Sequence, residues 1–217
     1  AMHINVDAIL FDIDGTLVDS TPAVERTWRV WAEAHGVDPE AVLEVSHGRR
    51  SQDTIAMFLP SERVDAAVDE LEELELAAVD GTLALPATGE LLKALPADRW
   101  AAVTSGGRRL MCERLAVAGL PVPDVLVAAE DVSVGKPDPQ GYRMAAAALG
   151  HPPRRCLVVE DAPAGVRAGL AAGATVLAVA TSHERSALEG LGAAAVVDDL
   201  TACALRTTTE GLELFLR

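Results

Sequence analysis

Four short stretches of this 217-residue chain place reactive side chains where an apolar run stops. In the first, Ala8-Ile9-Leu10-Phe11 runs into Asp12-Ile13-Asp14 and a Gly15-Thr16 turn. A continuous apolar run suits a strand buried on both faces. Two carboxylates at its end do not suit a core, where an unpaired charge is costly. They suit the carboxyl end of a parallel strand, where open α/β sheets place ligands. In a straight strand, side chains two apart point to one face, so these acids need a divalent cation or a shared proton. A cation would leave Asp12 ionised and able to act as a nucleophile. Taken alone, the pair also reads as an acidic turn after a strand.

The second stretch, Val103-Thr104-Ser105-Gly106-Gly107, is a strand end passing into a helix. Such a junction offers backbone N–H groups and a partial positive charge to a phosphate, and the Thr104 or Ser105 hydroxyl can add a hydrogen bond. Taken alone, the stretch reads first as an ordinary strand–helix turn with a Ser cap. The third, Gly135-Lys136-Pro137-Asp138-Pro139, holds one of the chain's two lysines on a stiff backbone. A fixed ammonium there could offset crowded carboxylates and grip a phosphoryl oxygen. Asp138 reads as a cap for the following helix. The fourth, Val158-Val159-Glu160-Asp161-Ala162-Pro163-Ala164-Gly165, is again an apolar strand closing on two acids.

Asp12 to Ser20 resembles the first motif of the haloacid dehalogenase (HAD) superfamily phosphatases, Asp-x-Asp-Gly-Thr-Leu-x-Asp-Ser, at every fixed position. The other three stretches resemble its second, third and fourth motifs in order. The resemblance implies that Asp12 is the nucleophile and Asp14 the general acid/base. It makes Thr104 and Lys136 partners in catalysis. It also implies a Mg²⁺ held by Asp12, Asp161 and the backbone carbonyl of Asp14, with Glu160 acting mainly through a water. An all-oxygen, partly hydrated ligand set suits Mg²⁺.

The elements that position these residues follow from the pattern. From about Pro86, helices and strands alternate: strands at Trp100–Thr104, Val125–Ala128, Cys156–Glu160, Thr175–Val179 and Ala195–Val197, with helices between them, the last spanning about His183–Gly190. This predicts an α/β fold, a Rossmann-like doubly wound parallel sheet. Residues 17–83 carry no strand signal and read as an inserted all-α cap. Pro22 starts a helix ended by Gly36, a short helix covers Pro39 to Val45, Ser51 caps another through about Leu59, and Ser61 caps a long acidic one from Glu62 to Val79. The expected organisation is a catalytic core of residues 1–16 and 84–217 and a helical cap of 17–83. The tail Leu212–Leu216 reads as an edge strand or a helix end. HAD phosphatases with a small helical cap are built the same way, and a cap leaving the core beside Asp14 can exclude water from the site.

Composition limits the function classes. Half the residues are apolar and the formal net charge is −15, which argues against nucleic acid and anionic membranes as partners. Three scattered cysteines without metal spacing fit a reduced, cytoplasmic setting. No signal-peptide pattern opens the chain, and the longest uncharged run, 168–182, is short and broken by glycine. The core is large enough for a monomer.

Within the resembled superfamily, dehalogenases lack the second motif-one aspartate, which is present here as Asp14. The phosphonate-cleaving branch uses a cap lysine, and residues 17–83 contain none. A β-phosphoglucomutase-like mutase and a non-catalytic binder of phosphorylated metabolites stay open. Ser46 to Thr54 looks like the cap loop of sugar and polyol phosphatases, of the 2-deoxyglucose-6-phosphate, hexitol-phosphate and glycerol-3-phosphate type. On that reading Arg49 could contact phosphate and His47 a sugar hydroxyl, beside Ser105 and Gly106. The expectation is a Mg²⁺-dependent phosphatase of small phosphorylated sugars or polyols.

Overall fold

The computed structural model describes residues 2–217. The chain opens with β1 (Met2–Val6) and β2 (Ala8–Phe11), makes a two-residue strand β3 (Val18–Asp19), and enters four helices: α1 (Thr21–His35), α2 (Pro39–Ser46), α3 (Ser51–Ala56) and α4 (Ser61–Ala77). It returns through β4 (Leu83–Ala84), α5 (Thr88–Ala94), β5 (Trp100–Val103), α6 (Arg108–Val117), β6 (Leu126–Val127) and α7 (Gln140–Leu149). There follow β7 (Cys156–Glu160), α8 (Pro163–Ala172), β8 (Thr175–Val179), α9 (Arg185–Leu188), β9 (Ala195–Val197), β10 (Cys203–Thr208) and β11 (Gly211–Leu216).

Six strands form one parallel sheet in the order β6-β5-β2-β7-β8-β9. The chain builds outward from β2 through β5 to β6, then returns to β7 on the other side. The order therefore reverses at β2, and the crevice at the carboxyl ends of β5, β2 and β7 is the place where such sheets bind ligands. Asp12, Thr104 and Glu160 all stand there.

The two faces of this sheet differ in kind. On one, Ile9, Phe11, Leu157, Val159, Leu177 and Val179 pack with Trp100, Leu110 and Leu115. On the other, Ala8, Leu10, Ala101, Val158 and Ala178 meet Ala145, Ala146, Ala168 and Ala172 of α7 and α8. Small residues there bring helix and sheet close. A Cβ on Gly169 would lie 2.8 Å from Val176 Cγ2 and 2.9 Å from Val158 Cγ1.

Helices α1 to α4 have a separate core of Trp28, Trp31, Val42, Ile55, Leu59, Ala67 and Leu71. Trp28 and Trp31 pack edge to face at 5.4 Å, and Trp31 Nε1 donates to the Ala67 carbonyl. Both tryptophans therefore serve this core, although Trp28 also reaches the cavity wall.

Four local expectations change. A strand does occur between Leu17 and Asp80: β3 pairs antiparallel with β4, so both chain crossings into the helices run through one short ribbon. Two residues give almost no periodic signal. The tail is a strand, but not of the main sheet. β11 pairs antiparallel with both β1 and β10 in a separate three-stranded sheet. The helix near His183 shrinks to Arg185–Leu188. Finally, Arg50 and Pro60, not Ser51 and Ser61, occupy the N-cap positions of α3 and α4.

Candidate active site

Asp12 directly follows β2, and its backbone N–H donates to the Val159 carbonyl of β7. The turn closes as the N–H groups of Thr16, Leu17 and Val18 all donate to the Ile13 carbonyl. This folds Thr16 back under the acids: its hydroxyl is 3.3 Å from Asp12 Oδ2 and 3.2 Å from Asp161 Oδ1. Ser182 adds a hydrogen bond to Asp161 Oδ2.

Lys136 is buried in the middle. Its ammonium donates to Asp12 Oδ1 at 2.9 Å, Glu160 Oε1 at 2.7 Å and the Val103 carbonyl at 3.0 Å. All three donor positions are filled, which fixes the nitrogen in space. Tyr142 donates its hydroxyl to the same Glu160 oxygen at 2.6 Å. Asp138 accepts from the Gln140 N–H from one residue before the N-cap of α7, a position that Pro139 and not Asp138 occupies.

Asp12, Glu160 and Asp161 bring carboxylate oxygens within 4.8 Å of one another, all buried. Three acids face one ammonium, so the cluster is short of positive charge. Burial, with Asp161 beside it, pushes Asp12 well above the usual carboxylate range despite Lys136. Burial pushes Asp161 up to about 6 and Glu160 up to about 7. Burial alone would lower Lys136, but Asp12 and Glu160 outweigh it and hold the amine protonated. A hard divalent cation at Asp12 and Asp161 fits this oxygen donor set and its excess charge.

The space round Glu160 is set by Gly165 in α8. A Cβ there would overlap the Glu160 carboxylate. Gly165→Ala must displace Glu160 and, through it, Lys136. It is expected to cost about 1–3 kcal/mol as an overpacked core, read from urea unfolding, together with a loss of activity.

Asp14 stands apart from the cluster. Its Oδ1 accepts from Ser20 at 2.8 Å and its Oδ2 from Arg114 at 2.7 Å. Its carboxylate lines a cavity of about 320 Å³ between the sheet and the helices, with Asp12 and Asp161 in the floor. Trp28, Val68, Glu72 and Met111 belong to its walls.

The other sequence candidates fall around this cavity in different states. Thr104 is buried, and its Oγ1 accepts from the Gly106 N–H. Ser105 donates to the Gly48 carbonyl at 2.8 Å, joining the sheet to the helices. Both Ser105 and Gly106 line the cavity, the Ser105 hydroxyl already paired and Gly106 paired at both its N–H and its carbonyl, which accepts from the Ala129 N–H. Arg49 and His47 line it from the helical side. His47 packs edge-on against His183 at 5.3 Å. Burial, and then His183, lower its pKa, so the ring is neutral near pH 7 and can both donate and accept.

Sequence reasoning missed several residues. Arg50, next to Arg49, is 5% exposed. It makes a two-point pair with Asp53 and donates to the carbonyls of Ala129, Val132 and Ser133, in the chain that leads to Lys136. Arg114 joins Asp14 to Glu75 of α4. Arg50 lies inside the Ser46–Thr54 stretch without standing out in it, and Arg114 lies in no recognisable motif; the carbonyls that Arg50 meets are 79 to 83 residues away and Asp14 is 100 from Arg114.

Residues 6–173 match the haloacid dehalogenase-like hydrolase family. The chain belongs to that family. It is 47% identical over 175 residues to hexitol phosphatase A of Escherichia coli K12, covering 78% of this chain and 81% of that protein. It is 36% identical to 2-deoxyglucose-6-phosphate phosphatase 2 of Saccharomyces cerevisiae, over 91% and 89% of the two chains. A hydrolase from Pseudomonas syringae has a similar structure, with a TM-score of 0.80 at 27% identity over 89% and 93% of the chains. The chain is thus an enzyme, a phosphoric monoester hydrolase of the HAD type. Among the described residues, no helix is long and apolar enough to cross a membrane.

Proposed function

We propose that this enzyme is a Mg²⁺-dependent phosphatase of small sugar or polyol phosphates that works through a phospho-Asp12 intermediate. The observation that carries this reading is the buried cluster of Asp12, Asp161, Glu160 and Lys136 in the floor of a cavity whose other acid, Asp14, is held separately. Asp12 and Asp161, with the Asp14 backbone carbonyl, would hold the cation, which when bound supplies the missing positive charge beside the phosphoryl group. The cavity is of a size for a small substrate. The curated relatives, named for hexitol and 2-deoxyglucose-6-phosphate, point to the same class.

The chain's own groups then divide the work. Lys136 fixes Asp12 and neutralises charge on the phosphoryl oxygens. Asp12 attacks phosphorus, the bond to the leaving oxygen breaks, and Asp14 gives that oxygen a proton. Asp14 then takes a proton from water as it attacks phospho-Asp12, releasing phosphate and restoring both acids. Positioning and electrostatics dominate, as in phosphoryl transfer generally. The helices over the floor exclude bulk water. Of the cavity-lining residues, Arg49 would contact the phosphate and His47 a hydroxyl of the alcohol part.

The test is phosphate release from hexitol, 2-deoxyhexose and glycerol phosphates with and without Mg²⁺. Mg²⁺-dependent release is expected. Isomerisation of β-glucose-1-phosphate with little release would instead favour a mutase, and binding without turnover a non-catalytic protein.

A second expectation follows from charge. A carboxyl raised in the folded state supports the fold below its unfolded pKa, near 4, and loses that support as pH rises through the folded value. With Asp161 at about 6 and Glu160 at about 7, the metal-free protein is expected to lose stability from about pH 4 to about pH 7. Mg²⁺ opposes the shift. Melting temperatures in EDTA and in Mg²⁺ check this: the gain from Mg²⁺ should be larger near pH 7.5 than near pH 5.

A further inference from the structure

The guanidinium of Arg114 is almost wholly buried, with 4% of the side chain exposed, yet it belongs to no motif. One terminal nitrogen donates to Asp14 Oδ2 at 2.7 Å and the other to Glu75 Oε2 at 2.9 Å. Ser20 takes the remaining Asp14 oxygen, Oδ1. A carboxylate held at one oxygen can still turn about its Cβ–Cγ bond. One held at both by different elements cannot, and its plane is set. Asp14 is held in this way by Ser20 at the start of α1 and by Arg114 of α6.

Stability alone does not explain the arrangement. Taking the Arg114 guanidinium and most of the Glu75 carboxylate out of water, with Asp14 still 32% exposed to the cavity, is usually no better for the fold than well-packed apolar residues. The contact also has a fixed place relative to the chemistry. α6 begins directly after Thr104–Gly107, so one helix carries both the turn at the cavity floor and the anchor of Asp14. Glu75, from α4, brings the helical layer into the same contact, so the anchor is complete when those helices are seated on the sheet.

We propose that Arg114, braced by Glu75, is a positioning residue that aims the Asp14 carboxyl at the leaving oxygen. This rests on the reading of Asp14 as general acid/base. The step concerned forms the Asp12 oxygen–phosphorus bond and breaks the bond from phosphorus to the leaving oxygen. The electron pair stays on that oxygen, which takes the proton of Asp14. A misaimed Asp14 slows this step where the leaving group needs a proton, and spares it where the leaving group departs as a stable anion.

The experiment compares kcat/KM in Mg²⁺ for glycerol or hexitol phosphate, whose alcohols need protonation, and for 4-nitrophenyl phosphate, whose phenolate does not. Arg114→Gln is expected to lower the alkyl substrate about 100-fold, the lower end of what general acid catalysis supplies, and the aryl substrate by less than about fivefold. Equal losses on both would overturn the proposal, since a merely structural residue does not discriminate leaving groups. If the Gln variant does not fold, Arg114→Lys carries the same test. It keeps the charge but loses the fork that spans Asp14 and Glu75, and about a tenfold loss confined to the alkyl substrate is expected. Asp14→Asn is measured alongside. If it too hits both substrates equally, the acid/base reading of Asp14 fails. If it discriminates and the Arg114 variants do not, only the present proposal fails.

Discussion

Asp12→Asn is expected to lower phosphate release by about 10⁴-fold or more, the scale of losing a covalent nucleophile, while leaving the fold intact. An amide oxygen can still accept from Lys136, so the contact at 2.9 Å survives. The charge it removes is one that burial and Asp161 already oppose. The melting temperature of the metal-free variant should therefore equal or exceed that of the parent. Phosphate release and thermal unfolding on one preparation separate the two effects. Retention of a tenth of the activity would mean that another group attacks phosphorus.

Lys136→Met should fail differently, losing both activity and stability. Methionine fills much of the space, but Asp12 and Glu160 lose their common partner and the Val103 carbonyl loses a donor. Breaking a buried ion pair by removing one member costs about 3–5 kcal/mol. The deficit has a definite pH sign. Without the ammonium, Asp12 and Glu160 move further above their unfolded values. A raised carboxyl destabilises the fold as pH climbs past the unfolded pKa. Urea unfolding should show a small deficit near pH 5 and a larger one near pH 8. A deficit that did not change with pH would mean that Lys136 acts by packing rather than by charge.

The contrast shows what could be read from the sequence. Each group of this cluster stands at a strand end, next to an apolar run or a stiff loop, so sequence alone pointed to Asp12, Lys136, Glu160 and Asp161, and the structure gathers them. The parallel sheet was legible for the same reason, because period and turn residues are local. Arg114, Glu75 and Arg50 were not legible. Each sits on or beside an ordinary polar helix surface in the sequence, and its partner is set by how α3, α4 and α6 meet the sheet. The β3–β4 ribbon was too short to carry a period. β10 also escaped, since Cys203 to Thr208 does not alternate cleanly between buried and exposed. The serines Ser51 and Ser61 were credited with caps that the backbone assigns one residue earlier. Such one-residue offsets are common at helix ends.

The unequal faces of the sheet divide the molecule's tolerance of substitution. On the side of Ile9, Phe11 and Leu157, exchange among large aliphatic residues changes shape while nearly conserving volume, which cores accept at small cost. On the side where alanines of α7 and α8 lie against the strands, exchanging any of those alanines for a larger residue adds atoms, and Gly169 already has two valine methyl groups within 3 Å of where a Cβ would sit. Random variation across this sheet would therefore leave a lopsided record: a permissive layer on one side, and on the other a layer in which almost every change is lost.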